Sequence, residues 1–133
     1  ITYPAPLTTA CSDTSSTSDC GVGGAPCGPG NAQTGTSSYS LSVNGGDSVT
    51  VGFYQLFGHA PSSGSNFYEI YFWENGASSG SRVLNQNQVN TANGASLNFT
   101  INIPQNAAEG VGLIQFIYNA TAGGADIYYT CSA

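Results

Sequence analysis

The stretch that decides the fold is the last one, Gly110-Val-Gly-Leu-Ile-Gln-Phe-Ile-Tyr-Asn-Ala-Thr-Ala-Gly-Gly-Ala-Asp-Ile-Tyr-Tyr-Thr-Cys-Ser-Ala133. From Val111 to Tyr118 it is apolar on both faces apart from Gln115, which is typical of a strand that is covered on both sides. After a Gly-Gly break the chain alternates, so that Ile127, Tyr129 and Cys131 share one face. The stretch therefore predicts a buried strand followed by a second strand that a cysteine locks in place.

The same alternation recurs upstream and predicts strands that close around this pair. Tyr39, Leu41 and Val43 alternate before Asn44-Gly-Gly-Asp47, which indicates a hairpin turn. Four further strands are predicted. The first has Val49, Val51, Phe53 and Phe57 on one face, and the second runs from Phe67 to Trp73. The third, from Arg82 to Val89, is weak, and the fourth runs from Leu97 to Ile103 and ends at Pro104. Helix is limited to a single turn at Gln105 to Glu109. Seven or so short strands predict an all-β fold, an antiparallel β-sandwich of immunoglobulin or fibronectin type.

Length and cysteine content predict one domain with a fastened N-terminal arm. The chain has 133 residues, enough for one core. Residues 1–38 are loop-like and residues 39–133 carry the strands. Because close Cys/His pairs are absent, disulfides are a better interpretation of the four cysteines than zinc, and they indicate an oxidising compartment. Three connectivities are compatible with the spacing; we expect Cys11–Cys20 and Cys27–Cys131, which would staple the arm to the last strand.

The charge of the chain excludes two classes of partner. The net charge is -6, with seven acidic residues against the single base Arg82, so a basic surface for nucleic acid or for anionic lipid is excluded. No apolar stretch approaches the ~20 residues of a membrane span. Ile1-Thr-Tyr-Pro4 does not resemble a signal peptide, so we expect a secreted form whose signal is already removed.

Two sequons predict N-glycosylation, Asn98-Phe-Thr100 and Asn119-Ala-Thr121. Alternation places Asn98 on the solvent face of its strand, and Asn119 follows the buried strand where the chain turns outward. An uncharged surface of Ser, Thr, Asn, Gln and Gly, together with these sequons, predicts a secreted, extracellular protein.

No catalytic residues are predicted. His59 is the only histidine, and the predicted all-β fold is unlike that of the hydrolases that carry a nucleophile elbow. Glu69 and Glu74 are the carboxylates nearest in sequence, but their offset places them on opposite faces of a strand, unlike a glycosidase pair. Four aromatic residues could form a sugar-stacking platform or, as we expect, part of the sandwich core: Tyr68, Tyr71, Phe72 and Trp73.

The order of several short motifs resembles that of a known family. These motifs are Tyr3-Pro4-x-Pro6, Pro26-Cys27-Gly28, His59 after strand 48–57, Gly112-Leu-Ile-Gln115-Phe-x-Tyr118 and Gly124-Ala-Asp-x-Tyr128-x-x-Cys131. They resemble the secreted fungal relatives of lytic polysaccharide monooxygenases, which are small copper-binding sandwich proteins without oxidative activity. The resemblance implies a copper brace made by an N-terminal histidine and a second histidine, with His59 at the second position and Asp126 as the nearby aspartate. Residue 1 is Ile, so copper is expected only if a histidine precedes it.

Two functions remain as expectations. The first is a secreted, glycosylated, non-catalytic protein, extracellular or associated with the cell wall, that contacts glycans or cell-wall polysaccharide or self-assembles as a homo-oligomer or filament. Low charge favours this reading because few like charges oppose the pairing of sheet edges. The alternative is a copper-binding protein with His59 and Asp126 as its surviving ligands. An active oxygenase is disfavoured, since one imidazole cannot hold and cycle copper.

Overall fold

A computed structural model describes residues 41–55, 57–87, 89–124 and 127–132, with the side chain of residue 132 undescribed. These residues form six strands and one short 3-10 helix, and no α-helix occurs among them. The strands are β1 (Ser48–Gln55), β2 (Phe67–Trp73), β3 (Ser81–Gln86), β4 (Ala95–Asn102), β5 (Leu113–Asn119) and β6 (Ile127–Ser132), and the 3-10 helix is Thr121–Gly123. The all-β prediction is confirmed. The predicted boundary at residue 38 lies outside the described residues.

All strand pairs are antiparallel, and they form two sheets. β1 pairs with β4, and a four-stranded sheet has the order β3-β2-β5-β6. The chain therefore crosses from one sheet to the other three times, after β1, after β3 and after β4. Within the described part of the chain, no helix is long and apolar enough to span a bilayer.

The core lies between the two sheets and is built from alternate residues of the central strands. The ring of Phe53 in β1 stacks on Phe116 in β5, with centroids 3.9 Å apart. The buried hydrophobic residues of this core are Val49, Val51, Tyr68, Ile70, Phe72, Phe99, Ile101, Ile103, Ile114, Phe116, Tyr118 and Ala120. Each such aliphatic or aromatic side chain contributes about 1.5–3 kcal/mol of transfer free energy. Contact across the gap between the sheets is consistent with the predicted β-sandwich.

The predicted hairpin before β1 is wrong, although its turn forms. Leu41 to Val43 are not in a strand, and Tyr39 lies outside the described residues. The turn closes with the N–H of Asp47 donating to the carbonyl of Asn44 at 3.1 Å. Gly46 (φ 88°) then donates to the carbonyl of Ile103, whose own N–H donates to the carbonyl of Asp47. This is a glycine-type β-bulge, with two residues opposite one, so the turn leads into the β1–β4 pairing instead of a hairpin.

Phe57 also departs from the prediction. It was expected on the inward face of β1, but the strand ends at Gln55 and the Phe57 side chain is 55% exposed. Gln55, only 2% exposed, takes the last inward position instead. A buried amide is tolerated there because its oxygen and its nitrogen both have hydrogen-bond partners.

A buried hydrogen-bond network joins β1, β2 and the loop before β4. The hydroxyl of Tyr68 donates to Oε1 of Gln55 (2.5 Å), and Nε2 of Gln55 donates to the carbonyls of Asn90 (2.7 Å) and Ala92 (3.1 Å). The backbone N–H of Asn90 donates in turn to the Tyr68 hydroxyl (3.1 Å). The network fixes an irregular loop against the core.

We predict that this network makes the protein sensitive to alkali. Burial is the main cause that raises the pKa of Tyr68 from 10.0 to about 12. Between these two pH values the unfolded chain loses the phenolic proton and the folded chain retains it, so the free energy of unfolding falls as pH rises. Tyr68→Phe should cost about 1–3 kcal/mol at neutral pH, because Gln55 and Asn90 lose a buried partner.

Urea unfolding of both proteins between pH 8 and pH 11.5 tests this expectation. The Tyr68→Phe variant should show a shallower loss of stability above pH 10 than the wild type, with a residual slope from Tyr118, whose pKa burial also raises. Tyr54→Phe, at an exposed tyrosine, is the control. Equal alkaline slopes for wild type and Tyr68→Phe would contradict the assignment.

Candidate functional site

The outer face of the four-stranded sheet carries a compact group of aromatic and polar side chains. Alternation along β2 turns Glu69, Tyr71 and Trp73 away from the core, whereas Tyr68 and Phe72 point into it. In the register with β3, Asn85 lies opposite Glu69 and Arg82 opposite Tyr71. We name these five residues, Glu69, Tyr71, Trp73, Arg82 and Asn85, the polar–aromatic strip.

A β-bulge in β3 directs Arg82 to this face. The register with β2 shifts between Ile70 and Tyr71, so that Leu84 pairs with Ile70, Arg82 pairs with Tyr71 and Val83 is the extra residue. Val83 and Leu84 consequently both pack against the core. Bulges commonly re-aim a side chain in this way, and here the result is a guanidinium beside the carboxylate of Glu69.

Glu69 is the centre of the strip. Its carboxylate accepts hydrogen bonds from Nη1 of Arg82 (2.9 Å) and from the hydroxyl of Tyr71 (3.3 Å), with Nδ2 of Asn85 at 3.5 Å. The Glu69 side chain is only 14% exposed, whereas that of Arg82 is 52% exposed. Burial, followed by the negative charge of Glu69, raises the pKa of Tyr71. The hydrogen bond to Glu69 is the main cause that raises the pKa of Arg82.

Trp73 is held in one orientation at the end of the strip. Its Nε1–H donates to Oε1 of Gln115 in β5 at 3.0 Å. A Cβ added to Gly80 would lie 2.5 Å from Nε1, so only glycine lets the loop backbone approach the indole this closely. The ring is therefore preorganised and remains half-exposed.

The other half of the outer face differs from the strip. Gln115 in β5 and Cys131 in β6 are paired neighbours on this face, and both are buried, although no described strand or helix packs over them. Cys131 is disulfide-bonded. Elsewhere on this face, Ile117 in β5 and Tyr129 in β6 are half-buried, as Glu69, Tyr71 and Trp73 are. Cys11, Cys20 and Cys27 lie outside the described residues.

His59 lies at one end of the sandwich among tyrosines and a backbone turn. Its N–H donates to the Tyr118 hydroxyl (3.0 Å), and Nδ2 of Asn66 donates to its carbonyl (2.7 Å). The imidazole stacks on Tyr128 with ring centroids 5.9 Å apart, and its Nε2 is 3.4 Å from the Tyr128 hydroxyl. Oδ1 of Asn66 accepts from the N–H of Gly123 (3.2 Å), which ties the His59 loop to the turn after β5.

The described residues do not fit a copper brace. A brace needs a second imidazole, and His59 is the only histidine in the chain. No group of three or more His, Cys, Asp or Glu side chains suited to a metal occurs in the described ranges. The other predicted ligand, Asp126, lies outside them. Among the described residues, the hydroxyl of Tyr128 lies 3.4 Å from Nε2 of His59, and a neutral phenol is a poor copper ligand, so we derive no chemistry through copper.

The two sequons occupy different environments. Asn98 is exposed in the middle of β4. Asn119 is half-buried at the end of β5, and its Oδ1 accepts from the N–H (3.1 Å) and the hydroxyl (2.7 Å) of Thr121. Of the two asparagines, only Asn98 has an exposed side chain.

Sequence reasoning treated the aromatic residues of β2 as one cluster and missed the strip. The signal that could have separated them was the period of two, which places Tyr71 and Trp73 opposite to Tyr68 and Phe72. The contribution of Arg82 had no such signal, because it depends on the bulge at Val83.

Comparison with known proteins identifies a family for this chain. No curated protein and no solved structure matches the chain. A family model does match, over residues 1–133. The chain therefore belongs to the family described as the DDB_G0289901 N-terminal domain.

Proposed function

We propose that this protein is a secreted, glycosylated, non-catalytic domain, extracellular or associated with the cell wall, that contacts glycans through the polar–aromatic strip. The observation that carries this proposal is the arrangement of Tyr71 and Trp73 beside the Glu69–Arg82–Asn85 cluster on one sheet face. Aromatic rings provide apolar faces for sugar C–H groups, and the neighbouring carboxylate, guanidinium and amide groups suit sugar hydroxyls.

The charge of the protein favours a neutral glycan over an acidic one. Arg82 is the only basic side chain of a chain with net charge -6, and Glu69 already binds it. A polyanionic sugar would meet repulsion from the rest of the surface. Neutral β-linked glucans and chitin-type chains are the ligand class that fits.

Two features support an extracellular location. Cys131 is disulfide-bonded, and disulfides persist mainly in oxidising compartments. Asn98 offers an exposed sequon. The staple Cys27–Cys131, with Cys11–Cys20 as a local loop, remains our preferred pairing within this proposal.

The strand order supports a sandwich of immunoglobulin or fibronectin type. A β1–β4 pair facing a β3-β2-β5-β6 sheet corresponds to strands B and E facing strands C′, C, F and G of such domains. The loops of such domains cluster at the two ends, while the sheet faces remain free for contact. The strip lies on such a face.

Self-association is the other role within this proposal. β1 and β4 contain neither a charged residue nor proline, so their outer edges lack the usual protection against pairing with another chain. Resemblance to the copper-binding relatives of polysaccharide monooxygenases remains an alternative, with His59 and Asp126 as its ligands.

We expect glycan binding to change the fluorescence of the protein. Trp73 is the only tryptophan, so its emission reports on the strip alone. Titration with neutral cello- and chito-oligosaccharides should shift this emission, and wild-type protein should bind the insoluble polymers in a pull-down. Tyr71→Ala should weaken binding about tenfold, which corresponds to about 1.4 kcal/mol of lost stacking.

Tyr54→Ala is the matched control, because this exposed tyrosine lies on the other sheet. Sedimentation velocity over a range of concentrations separates a true affinity from avidity caused by assembly. Unchanged Trp73 emission together with absence from both polymer pellets would refute the glycan proposal. Concentration-dependent assembly would then support the self-association role.

The copper alternative is tested by calorimetric titration of Cu(II) into metal-free protein and its His59→Ala variant. We expect weak and equal binding to both, since one imidazole does not make a tight site. Binding of one equivalent that is lost in His59→Ala would support the copper alternative, as would a native N-terminus that begins with histidine upstream of Ile1.

Peptide mapping without reduction tests the staple. We expect the peptide that contains Cys131 to be joined to the one that contains Cys27, and Cys131→Ser to lower stability by about 2–5 kcal/mol, as for other native disulfides in small secreted domains. Recovery of Cys131 joined to Cys11 or Cys20 would contradict this pairing.

A further inference from the structure

Among the strands that the structure describes, β4 is an edge strand, and its sequence lacks the usual protection of an edge. Among the described residues it pairs only with β1, along its full length of eight residues. The N–H and C=O groups of Ile103 both point to the chain before β1, where they bond to Asp47 and Gly46. Because these groups alternate in direction along a strand, the odd-numbered residues of β4 form the hydrogen bonds to β1. Even-numbered positions therefore direct their N–H and C=O groups to the opposite edge. These positions are Ser96, Asn98, Thr100 and Asn102.

Soluble proteins generally guard such an edge with lysine, proline, a bulge or an inward-pointing charge. The sequence of β4, Ala-Ser-Leu-Asn-Phe-Thr-Ile-Asn, contains no charge and no proline, and its register with β1 is continuous. The single base of the chain is already bound to Glu69 on the other sheet. Some other feature must therefore prevent a second chain from pairing with this edge.

Asn98 occupies the middle of this edge strand. Its side chain and that of Thr100 are exposed on the same outer face, and together they form the sequon. No hydrogen bond to the Asn98 side chain is present in the described part of the structure, so a substituent on Nδ2 would displace no contact there. We propose that an N-linked glycan on Asn98 guards the β4 edge and keeps the protein monomeric.

The covalent step is an ordinary glycosyl transfer. Nδ2 of Asn98 attacks C1 of the first sugar of a polyprenyl-pyrophosphate oligosaccharide, the C1–O bond to the pyrophosphate breaks, and the amide loses one proton. The lipid pyrophosphate is the leaving group, and no oxidant or reductant takes part. The donor belongs to the secretory pathway, so this inference rests on the proposed secretion but not on glycan binding. It also confines the self-association role to protein without a glycan on Asn98.

Asn119 cannot perform the same role. It lies at the end of β5, an interior strand paired with β2 on one side and β6 on the other. Its Oδ1 is committed to Thr121. A glycan there would leave the β4 edge open.

The test is expression through a eukaryotic secretory pathway behind a heterologous signal peptide, with intact mass and sedimentation velocity as readouts. Asn98→Gln and Thr100→Ala should each lose the mass of one N-glycan and shift the protein from monomer to concentration-dependent oligomers. Thr100→Ser keeps the sequon and should behave as wild type. Thr50→Ala, at the cross-strand partner of Thr100 and outside any sequon, is the matched control, and Asn119→Gln should stay monomeric.

Each outcome decides one part of the inference. An Asn98→Gln mass equal to that of the wild type would show that Asn98 carries no glycan and would overturn the site. Loss of the glycan with the protein still monomeric would overturn its guarding role. Pull-down of Asn98→Gln on neutral polysaccharide reports separately on the strip, so failure of the proposed function is distinguishable from failure of this inference.

Discussion

The pairing of β2 with β5 is the constraint on which the rest of the structure depends. Seven consecutive residue pairs, from Phe67 with Asn119 to Trp73 with Leu113, join these strands without a bulge. Because side chains alternate across the sheet, this one register decides both faces at once. It places Tyr68, Ile70 and Phe72 in the core and the β2 residues of the strip outside. A slip of one residue would exchange the two sets and lose the core.

Two bulges then adapt this regular frame. The extra residue Val83 turns Arg82 toward Glu69 while two apolar neighbours still reach the core. Gly46 and Asp47 oppose Ile103 and start the β1–β4 pairing. A Cβ at Gly45 would collide with the backbone carbonyl of Gln105 and obstruct this start. Both irregularities lie at points where a strand must be re-aimed, as is common for bulges.

Tyrosine residues link the core to the loops. The rings of Tyr68 and Tyr118 are buried and lie 5.2 Å apart between centroids, while their hydroxyls accept the backbone N–H groups of Asn90 and His59. An apolar ring with a polar end suits this position, because it contributes to packing and also satisfies a backbone donor. The hydrogen bond from the His59 N–H to the Tyr118 hydroxyl therefore holds the backbone of this loop against the core.

Two strands could be predicted from local pattern. Phe67 to Trp73 was predicted with the bounds that the structure has, from its run of aromatic residues and the turn that follows it. The inward row of Phe99, Ile101 and Ile103 was identified because a pleated strand with one buried face imposes a period of two. Sequence also excluded a basic surface, since one arginine cannot form one. The tertiary structure alone decided that the turn at Asn44 to Asp47 opens a β1–β4 pair instead of a hairpin, and that Arg82 meets Glu69. Both depend on which strand occupies a given edge and in which register, and those are contacts between residues distant in sequence that local pattern does not encode.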